Sequence, residues 1–152
     1  MQKPVYVLNG PSLNLLGQRE PDIYGTTKLS DIENMVTARA RVHGLTVQFR
    51  QTNHEGHMID WVIEARDKAC GIIINGAAWT HSSIALMDAL KAAELPVIEV
   101  HLSNPYAREE FRHLSYVAKV ASGVICGLGA HGYVLAVDAL AMKLNFTGGS
   151  SA

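Results

Sequence analysis

Two side chains at the end of a short apolar run could move a proton together. Glu99 and His101 are separated by one residue, so the two-residue period of a strand places them on the same face. A carboxylate beside an imidazole stabilises the protonated ring and fixes its orientation, which suits a general acid. The alternative is a pair that only links side chains at the end of a sheet. Leu102 and Ser103 follow directly, and their backbone N–H groups could bind an anion.

A long loop supplies a candidate base. Residues 9–25 contain several glycines and prolines, and Arg19 and Tyr24 lie five positions apart within them. A guanidinium next to a phenol favours the phenolate and lowers a pKa that is ordinarily about 10. Tyr24 could therefore accept a proton near neutral pH. The alternative is an Arg on the surface and a Tyr that packs the loop.

Other polar residues could bind a ligand at the same place. Arg108 and Arg112 lie four positions apart and would share one side of a helical turn, although solvated ion pairs commonly explain such charges. Asn75 and His81 follow an aliphatic run and could form hydrogen bonds with a ligand. Asp88 lies in a helical pattern, from which it could reach a neighbouring subunit or only water.

Two further motifs are interpreted as structural. Residues 127–132 match G-x-G-x-x-G, but only 20 residues follow, so no second strand completes a nucleotide-binding unit. Close packing between a strand and a helix explains these glycines better. His54 and His57 are three positions apart instead of the four of a helical zinc motif, and Gly56 interrupts them. We therefore expect no metal site there.

The elements that must position these residues alternate between short β-rich runs and longer helical patterns. The predicted strands are residues 5–8, 45–49, 71–74, 96–100 and 124–126. The predicted helices begin with a capping box at residues 30–33, include an apolar stripe at Ile59, Val62, Ile63 and Ala69, and extend over 83–93 and 133–144. Ser82 or Ser83 could cap the third of these helices.

This alternation predicts a three-layer α/β sandwich, flavodoxin-like, with a five-stranded parallel sheet in the order 2-1-3-4-5. Ligands bind beyond the carboxyl ends of the strands in such sheets, near the switch point between the first and third strands. The residues that follow strands one, three and four, 9–25, 75–83 and 101–112, should therefore converge.

Length and composition indicate the class of protein. The 152 residues, 48% of them apolar, fit one domain, predicted as residues 1–146 with a flexible tail at 147–152. A net charge of -1 argues against a nucleic-acid partner, and no apolar run approaches the roughly 18 residues of a membrane span. The first residues lack a signal-peptide pattern, and Cys70 and Cys126 lie beside aliphatic runs, as buried thiols would. We therefore expect a cytoplasmic protein.

Several separate blocks of the chain resemble the type II 3-dehydroquinate dehydratases of the shikimate and quinate pathways. The resemblance extends from about residue 5 to residue 144. Its most specific parts are residues 9–11 with 24–25, 99–104 and 107–113, and the blocks 51–56 and 80–86 are also similar.

The resemblance implies an activity and the residues that perform it. The reaction would be the anti elimination of water from 3-dehydroquinate to give 3-dehydroshikimate through an enolate, without metal, Schiff base or cofactor. Tyr24 matches the base that takes a proton from the carbon beside the ketone. Arg19 matches the residue that favours the phenolate, with Arg108 as a possible helper. His101 matches the acid that protonates the departing hydroxyl, and Glu99 would orient it.

The resemblance also implies a substrate-binding set and an assembly. Family substrate-binding positions fall on Ser12, Asn75, His81, Asp88, Leu102, Ser103, Arg108 and Arg112. Members of the family form dodecamers built of trimers, in which Asp88 would be lent across a subunit boundary. Ser12 replaces a family Asn that helps to hold the enolate, and its hydroxyl can still donate from a shorter side chain. The alternative function is a catalytically weakened relative that acts as a scaffold or small-ligand binding module. Biosynthesis and quinate breakdown both remain open.

Overall fold

A five-stranded parallel sheet lies at the centre of the computed structural model, which describes residues 2–148. Its strands are β1 (Val5–Asn9), β2 (Val47–Gln51), β3 (Gly71–Asn75), β4 (Val97–His101) and β5 (Gly123–Cys126). They are ordered β2-β1-β3-β4-β5, and every neighbouring pair is parallel. The predicted strand order and flavodoxin-like fold class are confirmed.

Helices cover both faces of the sheet. They are α1 (Pro21–Tyr24), α2 (Leu29–Val42), α3 (Glu55–Lys68), α4 (Ile84–Ala93) and α5 (His131–Gly148). The apolar side chains of α2 and α5 pack in one core with alternate residues of β1, β3 and β4, and those of α3 and α4 pack in a second core with the intervening residues. This gives three layers, with the sheet buried between two pairs of helices.

The central strands are buried on both faces because their residues alternate between the two cores. In β4, Ile98 and Val100 belong to the core beneath α2 and α5, whereas Val97 belongs to the core beneath α3 and α4. Strand periodicity places Glu99 and His101 on the same side as Val97. Two ionisable groups therefore continue an apolar row at the carboxyl end of a buried strand.

Two helix predictions need correction, the N-cap of α2 and the buried face of α3. The N-cap of α2 is Lys28 instead of Ser30, because the carboxylate of Asp31 lies 3.0 Å from the Lys28 backbone N–H and accepts its hydrogen bond. In α3 the buried residues are Met58, Val62 and Ala65, whereas Ile63 is 56% exposed. Of the predicted stripe, Val62 and Ala69 are buried and Ile59 packs against the same core. Only Ile63 was wrong, because the helical period rotates it away from the face of Met58, Val62 and Ala65.

The C-terminal helix is longer than predicted, and one predicted cap is confirmed. α5 begins two residues before and ends four residues after the predicted range of 133–144. It includes residues 147 and 148 of the predicted tail, and the rest of that tail, 149–152, lies outside the described residues. Ser83 caps α4, because its hydroxyl accepts a hydrogen bond from the Leu86 N–H at 2.9 Å.

Two smaller findings concern the thiols and the membrane. Cys70 and Cys126 are free and half-buried, and burial raises the pKa of both thiols. Within residues 2–148, no helix is long and apolar enough to cross a membrane.

Candidate active site

The loops that follow β1, β3 and β4 converge on a cavity of about 200 Å³. This is the place that the parallel sheet predicts, beyond the carboxyl ends of the strands at the β1–β3 switch point. Nine of the predicted site residues line it, namely Ser12, Arg19, Asn75, His81, His101, Leu102, Ser103, Arg108 and Arg112.

Three predicted residues stand apart from this lining. Glu99 precedes His101 in β4 and lines a smaller cavity that also borders His101. Asp88 is exposed on α4, so a single chain does not bring it into the main cavity. The side chain of Tyr24 lies outside what the structure describes, although its neighbours Ile23 and Gly25 border an open groove.

That groove adjoins the main cavity. Ile23 and Gly25 line one part of it, while Ser103 and Arg108 border both the groove and the cavity. The backbone on either side of Tyr24 is therefore close to the wall that Ser103 and Arg108 form. The predicted contact between Arg19 and Tyr24 stays a prediction.

Glu99 and His101 form the predicted pair. Nε2 of His101 is hydrogen-bonded to Oε2 of Glu99, and the two residues are 8% and 1% exposed, respectively. Because Nε2 faces Glu99, Nδ1 is the ring nitrogen left for a ligand. The hydrogen bond to the buried carboxylate fixes the orientation of the ring, so Nδ1 is positioned to give a proton to a group in the cavity.

A third member of this group, Ser115, could not be identified from the sequence. Its hydroxyl lies 3.0 and 2.9 Å from Oε1 and Oε2 of Glu99 and accepts a hydrogen bond from the Ala118 N–H. Such contacts compensate the carboxylate for the water that it loses on burial. Ser115 is 16 positions from Glu99 in an irregular segment, and no spacing rule connects the two.

His81 lies next to His101. The two ring centroids are 6.4 Å apart, and the rings are nearly parallel at 19°. Nδ1 of His81 is 2.8 Å from the Leu114 carbonyl, which only accepts, so this nitrogen carries the proton and Nε2 is an acceptor. Burial lowers the pKa of His81, and the nearby His101 and Arg112 lower it further. At neutral pH, His81 is therefore a neutral group that can accept a hydrogen bond from a ligand hydroxyl.

Three arginines give the cavity a positive lining. Arg108 donates to the Ser103 hydroxyl at 3.3 Å, and Arg112 donates to the Glu109 carboxylate at 3.3 Å. Arg19 lies 3.6 Å from the carboxylate of Glu20 on the loop between β1 and α1. Guanidinium groups bind carboxylates through paired hydrogen bonds, so this lining favours an anionic ligand.

A buried hydrogen-bond network holds Asn75, and this network could not be identified from the sequence either. Asn75 Nδ2 donates to the Tyr133 hydroxyl at 2.9 Å, and that hydroxyl donates to Asn9 Oδ1 at 2.7 Å. Asn9 Nδ2 donates to the Arg50 carbonyl, and Asn75 Oδ1 accepts from the Ala77 N–H. Burial strongly raises the pKa of Tyr133, which keeps the phenol neutral and able to donate. The network fixes the orientation of Asn75 at the cavity.

We expect Tyr133→Phe to destabilise the protein. Loss of the hydroxyl leaves Asn9 Oδ1 and Asn75 Nδ2 buried without a partner, which costs about 1–3 kcal/mol. Urea denaturation measures the change in the free energy of unfolding. Tyr106→Phe is the matched control because Tyr106 is 62% exposed. Equal stability of the two variants would contradict the role assigned to this network.

The first loop is held by the end of β2 and the segment that follows it. The Ser12 N–H donates to Asn53 Oδ1 at 2.9 Å, and Gln51 Nε2 donates to both Asn53 Oδ1 and the Gly10 carbonyl at 3.0 Å. A Cβ at Gly10 would lie 2.6 Å from the Gly76 carbonyl oxygen, so only glycine allows the loops after β1 and β3 to come this close. Gln51 and Asn53 of the block at residues 51–56 therefore hold the first loop in place.

Ser12 adopts a backbone conformation that suits asparagine better. Its φ of 69° is left-handed, a region in which asparagine is several-fold enriched among non-glycine residues. We expect Ser12→Asn to raise the free energy of unfolding by up to about 1 kcal/mol, as measured by thermal denaturation. Ser12→Ala, which lacks a polar side chain, is the control. A Ser12→Asn variant no more stable than Ser12→Ala would contradict this interpretation.

The two motifs interpreted as structural lie outside the main cavity lining. The Gly127 and Gly129 N–H groups donate to the carbonyls of Ser103 and Leu102, and both glycines have positive φ. The glycine-rich turn thus packs against the loop after β4. Among residues 2–148, no group of three His, Cys, Asp or Glu could hold a metal ion. The ring centroids of His54 and His57 are 4.7 Å apart, and Nδ1 of His57 is 3.4 Å from the Thr52 hydroxyl.

Known proteins with similar sequences and structures share one description. Residues 3–141 match the family model for dehydroquinase class II. The "3-dehydroquinate dehydratase 2" of Pseudomonas putida is 57% identical over 144 residues, which is 95% of this chain and 97% of that protein. The 3-dehydroquinate dehydratase of Streptomyces coelicolor is 54% identical, over 91% and 88%. The type II dehydroquinase of Propionibacterium acnes superposes with a TM-score of 0.89 at 48% identity, covering 93% of this chain and 98% of its own.

Proposed function

The chain belongs to the class II dehydroquinase family and is a 3-dehydroquinate dehydratase, a hydro-lyase of the shikimate pathway, and we propose that it acts in the cavity beyond β1, β3 and β4. One observation carries this placement. His101, paired with the buried Glu99, lines the same cavity as Arg19, Arg108 and Arg112. A proton donor and an anion-binding lining are what the dehydration of an anionic hydroxy ketone requires.

The substrate supplies partners for the polar groups of this lining. 3-Dehydroquinate carries one carboxylate, which the arginines can bind, and hydroxyls that can donate to Nε2 of His81. The backbone N–H groups of Leu102 and Ser103, which line the same cavity, are further candidates to bind the carboxylate. The proposed binding residues are Ser12, Asn75, His81, Asp88, Leu102, Ser103, Arg108 and Arg112.

The proposed elimination has two steps. Tyr24, held as phenolate by Arg19, removes a proton from the carbon beside the ketone, and the electron pair of that C–H bond forms an enolate. The enolate then reforms the ketone as the C–O bond on the next carbon breaks, and His101 gives its proton to the departing hydroxyl, which leaves as water. Glu99 stabilises the imidazolium and orients it. Each proton transfer of this kind contributes about 10²–10⁴-fold to the rate.

Production of the conjugated enone tests this function directly. Purified protein mixed with 3-dehydroquinate should give a growing ultraviolet absorbance from 3-dehydroshikimate, with a rate proportional to protein concentration. No absorbance change at high protein concentration would contradict the enzymatic function. A catalytically weakened scaffold is not favoured, since relatives 57% identical over nearly the whole chain are named as the enzyme.

We also propose a dodecamer built of trimers. Its support is the exposed position of Asp88 on α4, which would meet a substrate only across a subunit boundary. Light scattering should give a mass close to twelve times the 16.5 kDa of one chain, and a monomeric mass would contradict this.

A place in the cytoplasm is proposed from the two free thiols, which suit a reducing compartment. Quinate breakdown is proposed as a second role, because it would use the same dehydration of 3-dehydroquinate.

A further inference from the structure

Ser115 contacts the buried carboxylate that supports His101. Its Oγ is 3.0 Å from Oε1 and 2.9 Å from Oε2 of Glu99, and a carboxylate only accepts, so the hydroxyl donates. Among the described residues, the groups that donate to this carboxylate are the His101 ring and the Ser115 hydroxyl. Glu99 is 1% exposed, so water contributes little to the stabilisation of its negative charge.

The segment around Ser115 is fixed in place. The Ala118 N–H donates to the Ser115 oxygen at 2.9 Å, which directs the hydroxyl proton away from Ala118 and toward Glu99. Val117 is fully buried in the core beneath α3 and α4. The Tyr116 N–H donates to the Thr80 carbonyl, which ties the segment to the turn that carries His81. Ser115 is thus held against Glu99 by contacts on both sides.

We propose that Ser115 is a positioning residue for the dehydration, which keeps Glu99 as an oriented anion so that the proton shared by the pair resides on His101. The inference rests on the proposed function of His101 as the general acid. It adds a third member to the Glu99–His101 pair, at a position that touches neither the substrate cavity nor the reacting atoms.

The contribution of Ser115 changes during the reaction. Before proton transfer, the imidazolium of His101 compensates the charge of Glu99. After transfer the ring is neutral, and the Ser115 hydroxyl is the remaining described donor to a buried anion. Hydrogen bonds to charged groups are stronger than neutral ones, so Ser115 stabilises the state after transfer more than the state before it. Without Ser115, the pair retains its proton more tightly and gives it up more slowly.

Other ionisable groups face the pair from neighbouring elements. His81 stacks against His101, and Arg112 lines both cavities that border His101. Cys126 of β5, His113 and the exposed Tyr106 border the smaller cavity. Burial and the charge of Glu99 raise the pKa of Cys126, which keeps the thiol neutral. All of these groups are present in the wild type and in a Ser115 variant, so a comparison of the two isolates the hydroxyl.

The test compares Ser115→Ala with the wild type by pH–rate profile. We expect kcat to fall about tenfold, KM to stay within about twofold, and the alkaline limb of kcat to move to higher pH by about one unit. Ser115→Thr keeps a hydroxyl and should restore both kcat and the wild-type position of the alkaline limb. Ser30→Ala, at an exposed position of α2, is the matched control and should behave as the wild type. Ser115→Cys, with a weaker donor of similar size, replaces Ser115→Ala if that variant does not fold.

Two results would overturn the inference. One is a Ser115→Ala variant with wild-type kcat and an unmoved alkaline limb. The other is a lower kcat that only follows a lower folded fraction, with the limb unmoved and no restoration by Ser115→Thr. NMR titration of the His101 ring in substrate-free protein gives a readout independent of activity, and its midpoint should move in the same direction. Wild-type protein without dehydratase activity would instead refute the proposed function.

Discussion

Tyr24→Phe is expected to lower kcat by at least about 100-fold while substrate binding is largely retained. The substitution removes one oxygen and keeps the ring, so it removes the base and leaves the arginine lining of the cavity intact. An elimination through an enolate cannot begin without a base at the carbon beside the ketone. Initial rates of enone formation give kcat, and calorimetric titration with a product or substrate analogue gives the affinity.

Tyr106→Phe is the matched control for this substitution, because Tyr106 is exposed and does not line the main cavity. It should retain wild-type kcat. A Tyr24→Phe variant with wild-type turnover would remove Tyr24 as the base. Its side chain is not among those that the structure describes, so the kinetic result decides this assignment by itself.

His101→Gln should produce the second large loss, between about 10²- and 10⁴-fold in kcat. Glutamine can still form a hydrogen bond with Glu99, but it cannot deliver a proton to the departing hydroxyl. The alkaline limb that reports loss of a proton from the pair should also disappear from the pH–rate profile. Stopped-flow absorbance should show that the step in which water departs limits the rate.

His131→Gln is the matched control, since His131 is exposed at the start of α5. It should leave both kcat and the pH profile unchanged. Glu99→Gln should lower kcat less than His101→Gln does, because it weakens the support of the acid and keeps the acid itself. A His101→Gln variant that retains its alkaline limb would contradict the assignment of His101 as general acid.

Local sequence patterns were sufficient for the framework of the site. Two-residue periodicity alone placed Glu99 beside His101, and the alternation of strands and helices predicted the order β2-β1-β3-β4-β5. From that order followed the convergence of three loops on one cavity. These features depend on residues that are close in sequence and on general rules of parallel sheets. Both can be read from one amino-acid sequence.

The residues that support the site could not be predicted, because their contacts join distant parts of the chain. Ser115 meets Glu99 across 16 positions, and Tyr133 meets Asn75 across 58 and Asn9 across 124. No periodicity relates such positions, and each of these residues also suits an ordinary turn, helix or strand end. Their roles follow from burial and hydrogen bonding in the folded chain.

Small errors at the helix ends have a similar origin. Ser30 resembles a cap in sequence, but the carboxylate of Asp31 satisfies the Lys28 N–H and starts α2 two residues earlier. In α3, one helical register buries Met58 and Val62, and Ile63 faces outward although it is apolar. In both places several registers have similar local preferences, and the tertiary packing selects one.

The central claim is that a base and an acid act on opposite faces of the substrate in this cavity, and isotopic labelling tests it most directly. 3-Dehydroquinate can carry deuterium in place of one of the two hydrogens on the reacting carbon beside the ketone. If the elimination is anti, 3-dehydroshikimate formed by the wild-type protein should lose the deuterium placed anti to the departing hydroxyl and retain the deuterium placed syn to it. Mass spectrometry of the product distinguishes the two. Loss of the syn deuterium would contradict the account.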